Sequence, residues 1–356
     1  EVIKDEYPNL NLASKKDTTA VSKTYFQGKL SDDYGLKKLN LVYYPTQNPS
    51  NKQTQNIEIN RSNYAEFLYV FPNQDLKLEE GTTYTYYFEV YDNDAVNGSK
   101  KTTSTYFNYR KKTAQEAKKE KLNQQSESIK GMQKALEKQK QDANDLKDIE
   151  QMQKEKKQLS FSDKKKIENY LKRQQHQRKM MEDYSLELKQ NLEKFEPENQ
   201  DAKKEDLIER LEKNEERLQE NEKLMEELDK YRDKLEDEKL NEKLKQAANE
   251  TKKQERTLEQ LLELTKRYYV ERKTEQLAEE LNELAKKQDE LSEKKDATAK
   301  EQDELNKEFE KLKEELEKLE KENESLKEPM DIFRDEETEE EIKKDMKDAS
   351  SLLDEE

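Results

Sequence analysis

The sequence predicts an α+β chain built as separate domains: a β-sandwich over residues 1–110, then long coiled-coil helices or an elongated helical bundle over 111–356. Three observations carry this. Residues 1–110 hold 13 of the 18 tyrosines, five of the nine phenylalanines, four of the five glycines and four of the six prolines. Residues 111–356 hold only Gly131, Pro197 and Pro329 of the last two types, in a background of Glu, Lys, Leu, Gln and Asn. Within that second part leucines recur at alternating four- and three-residue spacings, the signature of a helical seam. With 43% charged residues, 30% hydrophobic and a mean hydropathy of −1.47, the chain as a whole does not line one large core.

In the first part, the runs YPNLNL, KTYFQGKL, LKKLNLVYY, QNIEINR, EFLYVFP, TYTYYFEVYD and STYFNYR are short, β-branched or aromatic, and separated by turn residues. Several alternate with period two, as Tyr84, Tyr86, Phe88 and Val90 do against Thr83, Thr85, Tyr87 and Glu89. Seven such strands in about a hundred residues suit a Greek-key sandwich. The stretch LKLEEGTTYTYYFEV resembles the E-to-F corner of fibronectin type III and related Ig-like domains, with Leu78, Gly81, Thr82 and Tyr84 in the corner pattern and Glu80 where that family often has Pro. The resemblance implies that the Tyr84 hydroxyl bonds upstream backbone. It also implies strands A at 7–12, B at 23–30, C at 36–45, D at 56–61, E at 65–72, F at 82–92 and G at 99–110.

In that topology the B–C, D–E and F–G loops share one end. SDDYG (31–35) and DNDAVNG (92–98) would then bring Asp32, Asp33, Asp92 and Asp94 together, with Asn63 nearby. Clustered carboxylates and amides are hard oxygen ligands of the kind Ca²⁺ takes. Turn chemistry is the leading reading of the same residues, because Asn97-Gly98 is a strong hairpin signal, Asp and Asn bond their own backbone, and no spacing matches a defined calcium loop.

The helical part begins with a capping box, Thr113 with Glu116; Thr298 with Glu301 and Thr338 with Glu341 are others, and Ser162 is a further N-cap. Pro197 and Pro329 are breakers. These signals predict helices at 114–159, 163–195, 201–294, 299–327 and 339–352, with breaks near 160–163, 196–200, 295–298 and 328–338. One seam runs through Leu277, Leu281, Leu284, Gln288, Leu291, Lys295, Thr298, Gln302, Leu305, Phe309, Leu312, Leu316, Leu319, Asn323 and Leu326. A second runs through Leu207, Leu211, Asn214, Leu218, Asn221, Met225, Leu228 and Leu235. The polar dip SEKKDATAKEQD (292–303) fits a hairpin reversal, although the unbroken register also permits one continuous helix. Each seam needs a companion surface on this chain, on a second copy or on a protein partner.

Charge divides the chain again: residues 1–110 carry net −1, 111–199 net +5 and 200–356 net −20. Opposite fields favour packing of the basic helices on the acidic ones. The interleaved Glu and overall net charge of −16 argue against nucleic acid, even at the locally basic YRKKTAQEAKKEK and KRQQHQRK. These stretches also lack the bulky apolar face of a membrane-surface helix. No glycine pair has phosphate-loop spacing. His176 is the only histidine and cysteine is absent, so zinc sites and Ser-His or Cys-His systems lack their usual parts.

GKLSDDYGLKKLNLVYY, YYFEVYDNDAVNGSKKTTS and ERTLEQLLELTKRYYVERKTEQLAEELNELAKKQDEL together resemble one domain-of-unknown-function family of large, membrane-anchored proteins of Gram-negative bacteria. In that family transmembrane helices precede an Ig-like segment and a long coiled coil. The resemblance implies a periplasmic or envelope location with the inner-membrane anchor upstream. The expected function is therefore non-enzymatic: an Ig-like module on a helical stalk that makes protein–protein contacts and is open to homo-oligomerisation, with no cofactor and no membrane contact inside this segment. The alternative expectation is a Ca²⁺-dependent adhesion or ligand-binding tip at Asp32, Asp33, Asp92 and Asp94.

Overall fold

Aromatic alternation in the first part and leucine periodicity in the second each find their own core. The computed structural model describes residues 6–17, 23–94, 98–155, 160–195, 201–231 and 237–355. The chain divides into two compact units, Glu1–Ala117 and Lys118–Glu356, an antiparallel β region followed by a helical one.

The strands are β1 (Asn9–Lys16), β2 (Thr24–Ser31), β3 (Leu36–Pro45), β4 (Gln53–Ile57), β5 (Tyr64–Phe71), β6 (Thr83–Asp92), β7 (Lys101–Thr103) and β8 (Phe107–Arg110). One sheet has the order β1-β2-β5; the other has β4-β3-β6-β7, with β8 also on β6, and every pairing is antiparallel. Strict alternation along β2 sends Phe26 and Leu30 inward. Phe67 and Phe71 of β5 join them, and Leu39, Leu41, Tyr84, Tyr86, Phe88 and Val90 of the second sheet close the same core. Phe71 stacks on Tyr86 at 3.7 Å, and Phe26 meets Phe88 edge-on at 5.1 Å. Position 28 must be glycine: a Cβ there would lie 2.0 Å from the Phe67 ring.

Three strand expectations change. The first strand, expected at 7–12, runs Asn9–Lys16, because its pairing with β2 continues as far as Lys16 opposite Thr24. The segment expected at 56–61 forms at 53–57 and pairs with β3, where the Tyr43 hydroxyl donates to Gln53 Oε1 at 2.6 Å. The last strand, expected whole over 99–110, is split. At Ser104 the side-chain Oγ, rather than a ladder carbonyl, accepts from Phe88 N–H at 3.0 Å, and the ladder along β6 is interrupted there, leaving β7 and β8 as separate partners of β6.

The helices are α1 (Ala114–Glu155), α2 (Phe161–Lys194), α3 (Ala202–Tyr231), α4 (Asp237–Glu293), α5 (Ala299–Glu324) and α6 (Glu336–Glu355). Successive helices alternate in direction, as paired residues show. Gln125 meets Asn191 and Asp145 meets Arg173 between α1 and α2. Lys189 meets Glu212 and Arg178 meets Glu222 between α2 and α3. Arg217 meets Thr257 and Lys243 meets Glu227 between α3 and α4. The helix expected over 201–294 is thus two antiparallel helices. No glycine or proline marks their junction, residues 232–236, which lies outside the described residues together with Leu235 of the seam. The gain that turns the chain is tertiary: Leu207, Leu211 and Leu218 are buried in one cluster with Leu258, Leu261 and Leu262.

At 294–298 the chain reverses. The two halves of the long seam then face each other, Leu277, Leu284 and Leu291 sharing a core with Leu305, Phe309, Leu312 and Leu319. Gln288 and Gln302, polar positions of that seam, exchange amide hydrogen bonds at 2.7 and 2.9 Å. Basic α1 and α2 pair with the acidic helices through Lys118–Glu279 at 3.1 Å, Lys119–Glu315 at 2.8 Å, Lys130–Glu322 at 3.5 Å and Lys189–Glu212 at 2.8 Å.

Cap positions also shift. Thr113 and Thr298 make the expected boxes. At α2, however, Ser160 with Asp163 caps the helix in place of Ser162. At α6, Asp335 accepts from Thr338 N–H at 3.1 Å and the helix starts three residues earlier than expected. In both places a residue upstream of the expected cap accepts from the amide three residues on: Ser160 Oγ from Asp163 N–H at 3.3 Å, and the Asp335 carboxylate from Thr338 N–H.

Candidate functional site at the loop end of the sheets

The segments 32–36 and 62–63 and the described residues 93–94 and 98–100 converge, and backbone bonds tie the first to Asn63, Ser62 and Asn93. Asp32 N–H donates to Asn63 O at 3.0 Å, Leu36 N–H to Ser62 O at 3.1 Å, and Asn93 N–H to Gly35 O at 3.0 Å. Side chains then cross-link the same loops: Asn63 Nδ2 donates to Asp33 O at 2.5 Å and Asn93 Nδ2 to Tyr34 O at 2.9 Å. Gly35 holds φ +125°, and a Cβ there would sit 2.9 Å from Asn93 Nδ2, so both its dihedral and its space exclude a side chain.

The four aspartates have different surroundings. Asp32 Oδ2 accepts from Tyr34 N–H at 3.1 Å and Gly35 N–H at 2.8 Å. Asp92, 1% exposed, accepts at Oδ1 from Lys100 N–H at 2.9 Å and Asp94 N–H at 3.3 Å. Each is a carboxylate folding its own loop, as turn chemistry requires. Asp33 Oδ2 takes the Glu6 N–H at 3.4 Å. Asp94 follows β6, and its carbonyl accepts from Ser99 Oγ at 3.5 Å. Residues 95–97, including Asn97 of the expected hairpin turn, lie outside the described residues; Gly98 has φ +87°.

One oxygen of each buried carboxylate is left over: Asp32 Oδ1 and Asp92 Oδ2 are buried and make no hydrogen bond. Burial pushes the Asp32 carboxyl above its ordinary pKa, the Gly35 and Tyr34 amides pull it back in part, and the charges of Asp33 and Asp92 add to the rise. Among the described residues, no three or more His, Cys, Asp or Glu side chains are grouped to hold a metal ion.

Sequence reasoning placed the loops together and named Asp32, Asp33, Asp92, Asp94 and Asn63, but it missed Asn93, which fastens two loops with both its backbone and its amide. The only sequence signal for it is an Asn at a strand end inside an Asp-rich loop. His176 is exposed on α2. Among the described residues no helix is long and apolar enough to cross a membrane. No family model, no curated protein and no solved structure matches this chain.

Proposed function

We propose that this chain is a non-enzymatic structural and interaction segment of a bacterial envelope protein, in which a fibronectin type III-like module is joined to a coiled-coil helical bundle. One observation carries the module: β1-β2-β5 facing β4-β3-β6-β7/β8 reads as A-B-E against C′-C-F-G, with Glu79 N–H donating to the Tyr84 hydroxyl at 2.9 Å across the E–F corner. The four-and-three spacing of the buried leucines supports the coiled-coil description. The family resemblance supports a periplasmic location, anchored to the inner membrane through a segment outside this chain.

The partner is a protein. The leucine seams are largely occupied by the chain's own helices, so the surface on offer is the outward face of β1-β2-β5. There Tyr25, Tyr64 and Leu68 are 46%, 51% and 80% exposed, and the register puts Gln27 beside Leu68 and Ser31 beside Tyr64. A photo-crosslinking residue at Leu68, in cells making the full chain, should yield one discrete protein adduct, and the same probe at exposed Glu209 should yield none. Equal, diffuse labelling from both positions would refute this reading.

A second reading, a cation held at the loop end, is favoured by the buried, unpartnered Asp32 Oδ1 and Asp92 Oδ2. Ca²⁺ would have to draw its remaining ligands from loop carbonyls and water. Thermal melts of the intact chain with Ca²⁺ and with chelator separate the two: a midpoint shared by both conditions removes the cation.

A further inference from the structure

We infer that the first turns of α2, at the α1–α2 end of the helical unit, dock on an anionic phospholipid surface. Phe161 is 84% exposed on the first turn of α2. Lys164 and Lys165 stand three and four residues further on, so they share its face of the helix, and Lys166 follows. Lys165 and Lys166 are exposed and Lys164 is half-buried.

The one acid in this stretch is withdrawn from the surface. Asp163 is 3% exposed, its carboxylate accepting from Ser160 N–H at 2.9 Å and Ser160 Oγ at 2.7 Å. Lys164, Lys165 and Lys166 make no ion pair among the described residues, a property they share with Lys134, Lys138 and Lys179 of the same two helices; what sets them apart is that they are consecutive and adjoin an exposed ring. Ile167, Tyr170 and Leu171 turn inward to a core with Ile149, Met225, Leu228 and Ala247. What is left facing solvent is a phenyl ring flanked by uncompensated ammonium groups.

That pairing suits a lipid headgroup layer: the ring inserts at the acyl boundary and the lysines meet anionic headgroups. It is a point contact, unlike the in-plane amphipathic helix that the sequence excludes. Charge also selects the orientation, since residues 200–356 carry net −20 and would be repelled side-on, leaving an approach led by the basic turn of α2.

Co-sedimentation of the full chain with vesicles tests this, using phosphatidylcholine alone and phosphatidylcholine with about 30% phosphatidylglycerol. Binding should require phosphatidylglycerol and weaken as salt rises. Each lysine at such a surface strengthens binding about fivefold, so the triple variant Lys164→Gln, Lys165→Gln, Lys166→Gln should bind about 100-fold more weakly. Phe161→Ser should cost about tenfold. The triple control Lys286→Gln, Lys307→Gln, Lys311→Gln, made at exposed lysines elsewhere, should bind as wild type does. Melting curves matched to wild type ensure that each variant is folded. The proposal is overturned by absence of binding, by equal losses in the control, or by tighter capture on poly-glutamate with the same lysine dependence, which would make the partner an acidic protein.

Discussion

Glu315→Gln should unfold the helical unit at a markedly lower temperature, because it strands a buried lysine. The Lys273 side chain is 6% exposed and its Nζ lies 2.6 Å from Glu315 Oε2; Lys119 Nζ lies 2.8 Å from Glu315 Oε1. One carboxylate from α5 thus joins α1 and α4. Removing one member of a buried pair typically costs about 3–5 kcal/mol, because the remaining charge stays desolvated. Here Gln276 Oε1 still accepts from Lys273 at 2.9 Å, Lys119 keeps Glu280 at 3.1 Å, and Glu315 is itself 26% exposed. These reduce the expected loss to about 2–3 kcal/mol, or about 5–10 °C in Tm for a unit of this size.

The effect has a definite pH dependence. Desolvation raises the Glu315 pKa, but the bonds from Lys119 and Lys273 outweigh it and hold the carboxyl below its ordinary 4.5. A folded pKa below the unfolded one gives stability that is fully present above about pH 4.5 and lost as pH falls through the folded value. The Tm gap between wild type and Glu315→Gln, followed by helical circular dichroism, should therefore be constant from neutral pH down to that range and close below it. The double variant Lys273→Met, Glu315→Leu removes both charges and should recover to within about 1 kcal/mol of wild type. A single variant melting with wild type at neutral pH, or a double variant no better than the single, would refute the reasoning.

Three further outcomes are expected. Tyr84→Phe leaves the Glu79 N–H without its acceptor in the connection between β5 and β6 and should destabilise the β unit by about 1–2 kcal/mol, read from urea unfolding by tyrosine fluorescence; an unchanged midpoint would show that this connection is not pinned. Asp32→Asn keeps an acceptor for the Tyr34 and Gly35 amides but cannot ionise. Because the folded Asp32 pKa is raised above 3.8, wild type loses stability as pH rises through it, so the Tm of Asp32→Asn relative to wild type should increase from pH 3 to pH 7, and a flat difference would contradict the burial argument. Arg334, paired with Glu320 at 2.7 Å and Glu339 at 2.8 Å, holds the connection between α5 and α6, so Arg334→Met should make residues 328–335 cleave several-fold faster in limited proteolysis.

Local chemistry made much of this molecule legible. Alternating aromatics specify strands because period two puts one face of each on a shared core, and the Leu78–Tyr84 stretch marks a corner because one hydroxyl can reach one upstream amide. Thr113 and Thr298 announce helix starts because the cap and its glutamate are three residues apart in sequence. The strand cluster also foretold that Asp32, Asn63 and Asp92 would meet, since loop positions follow from strand order.

Other features depend on partners far away in the chain. Nothing between Tyr231 and Asp237 signals a reversal, because the reason to turn lies in Leu258 and its neighbours, which bury against Leu207 and Leu211 only after the chain has folded back. The leucine periodicity shows that a seam needs a companion, but a periodic stripe does not say whose surface fills it; packing of α5 on α4 decides that. The aspartates read alike in sequence, yet burial spends Asp32 and Asp92 on loop amides and leaves Asp33 at the surface. Likewise Phe161 reads as part of a break between helices until Ser160 takes the cap, Phe161 becomes the first helical residue, Asp163 turns inward, and the ring is left beside lysines. The sequence by itself determined where elements form, through interactions a few residues long; tertiary structure decided which charges and apolar groups face solvent, because desolvation depends on everything packed around a group.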